Sequence, residues 1–192
     1  MRRFVLVAHD ARTAGDFSLE DLPGSAGRMD LVARCVTASL LVSHGVRADT
    51  EFVAVLTGPP RPPRQVRFVG SEIRSLNPDE RSTASLVRKA LTEEGLAERS
   101  PHRGIYVAGR GFRETLDIVP PPIYLLAEGG TDLRAATLPA DASFVLSDHR
   151  DFTGEEESLM TAKTTAKLSV GPKSLQADQV IAIVHNELDR RG

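Results

Sequence analysis

The chain has 192 residues, 41% of them hydrophobic, enough to bury a substantial core in one domain or in a domain with a modest appendage. A single cysteine, Cys35, excludes an internal disulfide, and a formal net charge of -2 argues against a protein that coats nucleic acid indiscriminately. The longest apolar runs, such as Ile123–Ala127 and Val180–Val184, are far too short to cross a bilayer, and no signal peptide opens the chain, so a cytoplasmic protein is expected.

"RRFVLVAHD" (Arg2–Asp10) reads as a buried strand that stops at polar residues. After a Gly- and Pro-containing loop, "RMDLVARCVTASLLVSHG" sets Leu31, Val32, Cys35, Val36, Ser39 and Leu40 at helical spacing. It predicts a helix over Arg28–His44 with Gly45 as its stop, and Cys35 as a core residue. "EFVAVLTG" and "RQVRFVG" read as two strands separated by "PPRPP", which cannot pair as a central strand. "NPDERSTASLVRKALTEEG" predicts a helix running to about Gly95, with Asn77 as cap, Pro78 in the first position and Glu80 at capping-box spacing.

"GIYVAG", "IYLLAE" and "FVLSD" follow as short apolar strands, each ended by polar or glycine residues, and the rhythm is that of an α/β fold with parallel strands. Gly154–Lys163 reads as an acidic helix and "KLSVGP" as a short apolar run. The last helix is expected over Ser174–Arg190, with Ala177, Val180, Ile181, Val184 and Leu188 in one stripe. Only the loop at 97–103 resembles a boundary, so residues 1–192 are expected to form a single domain.

Several chemistries drop out. The five histidines are dispersed and offer no metal-ligand spacing. "AGRGFRE" lacks the third glycine and acidic partner of a dinucleotide fingerprint and is followed by a strand-like pattern, and no phosphate-binding P-loop is present. Three polar loops remain: "AEGGT", "SDHRDFTG" and "SVGPKSLQADQ". At the carboxyl ends of parallel strands they would converge on one pocket. The change from apolar to acidic within "FVLSDHRDFTGEE" marks the sharpest of these strand ends.

"DLPGSAGRMDLVARCV", "SHGVRADTEFVAVL", "VGSEIRSLNPDERSTA", "GIYV", "FVLSDH" and "LSVGPKSLQADQVIAIVHNELD", in that order, resemble the archaeal tRNA (pseudouridine-54) N1-methyltransferases of the SPOUT superfamily over essentially the whole chain. The resemblance implies a parallel sheet flanked by helices with a C-terminal trefoil knot, a homodimer, S-adenosylmethionine as cofactor and tRNA as partner, with no membrane and no metal. It places the cofactor on Leu126 of the first loop, Ser147 of the second, Val170, Gly171, Pro172, Lys173, Ser174 and Leu175 of the third, and Val180 of the last helix.

Methyl transfer to the N1 imide of pseudouridine needs that nitrogen's proton to leave before or during attack, so a carboxylate or an anion-stabilising cation is expected near the base. Asp30 is the candidate proton acceptor and Arg28 the candidate cation or phosphate ligand; Asp148, in the cofactor loop, is the rival acceptor. From the residues alone, Asp30 and Arg28 read equally as helix-end electrostatics and an ordinary ion pair. Arg34 either faces the same site or is a solvent-exposed helix residue. His149 reads as a surface residue and His185 as a packing or dimer residue. For RNA, Arg61, Arg64, Arg67, Arg74 and Arg81, with Arg34, are the expected phosphate contacts. A pseudouridine in another RNA, or a dimeric RNA-binding protein without methyl transfer, are the alternative functions.

Overall fold

The computed structural model describes residues 1–191. In chain order the elements are β1 (Arg2–Ala8), α1 (Met29–Leu40), β2 (Leu41–Val42), β3 (Gly45–Val46), β4 (Thr50–Leu56) and β5 (Arg64–Val69). Then come α2 (Glu80–Ala90), β6 (Arg99–His102), β7 (Ile105–Ala108), α3 (Phe112–Ile118) and β8 (Ile123–Asp132). β9 (Ala142–Ser147), α4 (Gly154–Lys163), β10 (Ala166–Ser169) and α5 (Ala177–Asp189) complete the chain.

Eight strands form one sheet in the order β10-β8-β9-β1-β4-β5-β7-β6. From β10 to β4 all neighbours are parallel, with Phe4 of β1 opposite Phe52 on one side and Phe144 on the other. Beyond β4 the pairing is antiparallel, so the expected parallel sheet is in fact mixed. The cause is the proline-rich connection between β4 and β5: it is too short to carry a crossover, and only a hairpin joins strands so closely.

Alternation along the strands makes two cores. Phe4, Leu6, Phe52, Phe68 and Phe144 belong to the layer that includes α1, α2 and α5, whereas Val5, Val7, Val53, Val55 and Val145 pack with residues of α3 and α4. Cys35 is fully buried in the first layer, as its place on the apolar face predicts.

Several boundaries differ from the sequence reading; among them α2 ends at Ala90, short of Gly95, and α5 begins at Ala177, after Ser174. α1 stops at Leu40 because the next residues turn into the antiparallel pair β2–β3, with Leu41 opposite Val46, leaving Gly45 in a hairpin rather than at a helix end. α2 is capped by Asp79, whose carboxylate accepts the Ser82 N–H at 2.8 Å, and not by Asn77. Residues 112–118 are a helix where a strand-like pattern was expected; the Glu114 carboxylate accepts the Gly111 N–H at 3.0 Å and starts it. The stretch at 99–102, read as loop, is β6 at the edge of the sheet.

α5 is tied to α1 and β1 through His185, which is 2% exposed. Its Nε2–H donates to the Ser39 carbonyl at 2.9 Å, while Nδ1 faces the Arg2 guanidinium at 3.1 Å. A guanidinium can only donate, so Nδ1 must carry a lone pair and the ring is neutral. Burial, with Arg47 nearby, pushes the His185 pKa down to about 4. The folded protein therefore binds fewer protons here than the unfolded chain, and stability present above about pH 6.5 is lost as pH falls through about 4. Denaturant unfolding at pH 7 and pH 4.5 should show a larger loss in the wild type than in His185→Asn, with up to about 3 kcal/mol at stake. Equal losses would remove His185 from the acid response.

Candidate functional site

A cavity of about 1180 Å³ opens beside the middle of β8 and the carboxyl end of β9, next to β10 and the start of α5. That is above the roughly 300–1,000 Å³ usual for small-molecule sites. The three loops singled out in the sequence all reach it: Leu126, Ser147, Val170, Gly171, Lys173, Ser174, Leu175 and Val180 line its wall, while Pro172 does not. Arg28 and Leu31, at the start of α1, close another side, and Phe152, Met160 and Thr164 extend it toward α4.

The first loop is not a strand end. Lys167 of β10 pairs with Leu125 of β8, but the next residue, Leu168, pairs with Thr131, so residues 126–130 leave the ladder and return to it. Gly129 turns this excursion at φ 71°, and the α-carbon of Gly130 lies so close to β10 that an added β-carbon would sit 2.6 Å from the Leu168 carbonyl carbon. The excursion is what presents Leu126, Ala127 and Glu128 to the cavity.

The α1 side rests on two consecutive left-handed residues, Gly27 and Arg28, both at φ 64°. Gly27 is required there, because a β-carbon would fall 1.9 Å from the Asp10 carbonyl oxygen. Arg28 has no such excuse; an L-residue in this region costs about 1–2 kcal/mol and persists only when its surroundings hold it. What holds it is Asp30: Arg28 Nε donates to Oδ1 at 3.0 Å and Nη2 to Oδ2 at 3.1 Å.

Asp30 is 4% exposed and also accepts Arg34 Nη1 on Oδ2 at 2.9 Å. Burial alone would raise its pKa, but the guanidiniums of Arg28 and Arg34 outweigh burial and hold it below the usual carboxylate range. A carboxylate so stabilised is a weak base, and its first effect is to orient two arginines. Arg34 is in turn gripped by Gln176 at 3.2 Å, Glu80 at 3.4 Å and Asp178 at 3.6 Å, so it clasps α1 to α2 and to the start of α5.

Asp148 is held just as firmly. Its Oδ1 accepts His9 Nδ1–H and the Arg150 N–H, each at 2.9 Å, and its Oδ2 accepts the His9 N–H at 2.8 Å. Burial would raise its pKa, yet these donors hold it low. His149 bridges Asp148 at 3.4 Å and Asp10 at 3.2 Å.

The arginines expected to meet RNA are scattered. Arg61 is exposed in the loop between β4 and β5, at the cavity's end of the sheet, and Arg81 is exposed at the start of α2 beside Glu20. Arg74 is exposed but follows β5 at the opposite end. Arg67 lies 4.3 Å over the Tyr106 ring and is paired with Glu51 and Glu98. Arg64 must be corrected: it is 6% exposed, and its guanidinium donates to the carbonyls of Glu93 and Gly95, so it locks β5 to the segment after α2 and is buried, not displayed to a phosphate.

The sequence reading missed His9 and Glu156, which brace Asp148, and Gln176 and Asp178, which brace Arg34. A signal existed for His9: "VAHD" and "LSDH" are matching apolar-to-polar breaks, and β1 and β9 are register neighbours with Val7 opposite Ser147. Among the described residues no group of three or more His, Cys, Asp or Glu is placed to hold a metal ion, and no helix is long and apolar enough to cross a membrane.

Residues 1–192 match the family described as "Putative SAM-dependent RNA methyltransferase". The chain is 48% identical over 195 residues to the tRNA (pseudouridine(54)-N(1))-methyltransferase of Methanocella arvoryzae, covering 100% of both chains. It is 45% identical over 196 residues to the enzyme of the same name from Halobacterium salinarum, covering 100% of this chain and 98% of the relative. In fold it is similar to Archaeoglobus fulgidus Nep1, crystallised with S-adenosylhomocysteine, at a TM-score of 0.68 and 15% identity over 98% of this chain and 97% of that one.

Proposed function

We propose the reaction from the premise that this chain belongs to the SAM-dependent RNA methyltransferase family whose members include the tRNA (pseudouridine(54)-N(1))-methyltransferases. The protein transfers a methyl group from S-adenosylmethionine to N1 of pseudouridine-54 in the T-loop of tRNA. The observation that carries the reading to this site is the convergence on one cavity of the three loops with Arg28, which is held from behind the cavity wall by Asp30.

The residues fit the cofactor. Leu126, Leu146 and Val180 supply apolar wall for a flat ring, Ser147 and Ser174 with the loop backbones supply hydrogen-bonding groups, and the volume leaves room for a nucleoside beside it. Bound there, the cofactor supplies an electrophilic methyl group on a cationic sulfur. Leu126, Ser147, Val170, Gly171, Lys173, Ser174, Leu175 and Val180 hold it, with Pro172 shaping the third loop.

Arg28 stabilises the negative charge that develops on the imide as its N1 proton leaves, and Asp30 fixes the guanidinium at the angle Arg28's left-handed backbone provides. The proton passes to water or to the one lone-pair site left free on Asp30 Oδ1; with Arg28 and Arg34 on its other sites Asp30 is a weak base, and Asp148, held by His9 and the Arg150 N–H, acts chiefly by positioning. The base reaches the site by leaving its stack. Arg61 and Arg81 are the best placed of the exposed arginines to meet tRNA phosphates, with Arg74 and Arg67 farther along the surface and Arg34 committed to its clasp.

The reading includes one methyltransferase domain over 1–192, a cytoplasmic homodimer and a C-terminal trefoil knot. Support for the knot is the way the chain's end binds the connection after β8: Arg191 donates to the carbonyls of Leu133 and Ala136 at 2.7 Å, and Leu133 N–H donates to Ser169 at 2.9 Å.

Radiolabelled S-adenosylmethionine and matched tRNA transcripts with uridine or pseudouridine at position 54 test the activity. Label should enter only the pseudouridine transcript. Label in neither, with cofactor still bound, would move the substrate to another RNA.

A further inference from the structure

Where β1 and β9 end side by side, two carboxylates from different elements meet one histidine. Asp148 belongs to the second cofactor loop and Glu156 to the first turn of α4. His9 Nδ1 lies 2.9 Å from Asp148 Oδ1, and Nε2 lies 3.1 Å from Glu156 Oε2. Side-chain exposures are 10% for His9, 2% for Asp148 and 13% for Glu156. A neutral imidazole has one N–H and one lone pair, so it would point that lone pair at a carboxylate; only the doubly protonated ring satisfies both contacts. Glu156 also accepts the Thr153 N–H at 2.8 Å and its hydroxyl at 2.9 Å, which binds both ends of residues 148–153 to the same cation.

We infer that His9 is a positioning residue for methyl transfer: as an imidazolium it pins the loop from Ser147 to Thr153 between β9 and α4, and so shapes the wall on which S-adenosylmethionine rests. The inference depends on the proposed function for the identity of the ligand. Asp148 first, then Glu156, raises the His9 pKa against the opposing effect of burial, to about 9. The other titratable and charged groups around it are His149 and Asp10, which bridge to each other at 3.2 Å, Arg150, which pairs with Asp10 at 2.9 Å, and Arg28, which feels the Asp148 charge. Because the folded value lies above the ordinary 6.5, the clamp is complete below about pH 6.5 and is lost as pH rises through about 9.

Calorimetric binding of S-adenosylhomocysteine to the full chain tests it. Wild-type affinity should stay level from pH 6.5 to about 8 and fall above about 9, the fall tracking the His9 ring titration seen by NMR. His9→Gln should bind about tenfold or more weakly, with a flat pH profile. Its KM for S-adenosylmethionine should rise while kcat at saturation changes by less than about threefold. Glu156→Gln, which keeps the cap's shape, should move the wild-type fall to lower pH, because one of the two anions holding the proton is gone. Equal affinity in wild type and His9→Gln, or an unmoved pH midpoint in Glu156→Gln, overturns the role of His9 while leaving the cofactor site intact. A wild type that does not bind S-adenosylhomocysteine overturns both.

Discussion

Arg28→Gly is expected to lower methyl transfer to tRNA by about 10²–10³-fold, the usual loss when a group aimed at developing charge is removed. S-adenosylhomocysteine affinity should stay within about threefold of wild type. Glycine is chosen because position 28 sits at φ 64°, which glycine adopts without cost. Relief of about 1 kcal/mol of backbone strain then offsets part of the lost ion pair to Asp30, and the thermal midpoint should move by only a few degrees. A structural role for Arg28 would show the reverse pattern, a lower midpoint with turnover largely kept. Arg28→Lys should recover little activity, since a single ammonium cannot span both oxygens of Asp30 at 3.0 and 3.1 Å. Full activity in Arg28→Gly would remove this side chain from the chemistry.

Much of the fold is written in local pattern. β1, β4 and β9 are buried on both faces, so their runs of Val, Leu and Phe stand out from the polar residues that end them. The loops that line the cavity were legible as abrupt losses of apolar character, although the first of them, at 126–130, lies within β8 and not at its end. The direction of β5 was not, because a strand's composition is the same in parallel or antiparallel pairing; only the short connection after β4 carries that information. α3 has 7 residues, too few for helical periodicity to show, and owes its start to one contact between Glu114 and the Gly111 N–H.

The candidate site was harder to read, because its logic lies between elements. Arg61 and Arg64 belong to one arginine run, yet one is exposed in a loop and the other reaches inward to carbonyls past the end of α2. Nothing in the run itself separates them; the packing of β5 against the segment after α2 does. Asp30 and Asp148 stood out as chemistry-bearing carboxylates, but their partners, Arg34 and His9, decide what they do. Those partners come together only through the geometry of one helix turn and the adjacency of β1 and β9.

Gly130→Ala is expected to damage stability and cofactor binding together. The new β-carbon would meet Leu168 and Lys167 backbone atoms at 2.6–2.7 Å, and no flexible side chain is there to give way. β8 and β10 would have to separate where Gly130 packs on Leu168, at a cost of about 3 kcal/mol, near the upper end of over-packing losses. For a chain of 192 residues that is about 6–12 °C in the thermal midpoint. The same displacement moves residues 126–130 away from the cavity and shifts the third loop, which leaves β10 just beyond Leu168, so S-adenosylhomocysteine binding should weaken at least about tenfold even well below the midpoint. Gly129→Ala is the matched comparison: it meets nothing within 4 Å and carries only the strain of φ 71°. It should cost about 1–2 kcal/mol. If the two variants lost equal stability and affinity, the close approach of Gly130 to β10 would not be what holds the first and third loops in register with each other.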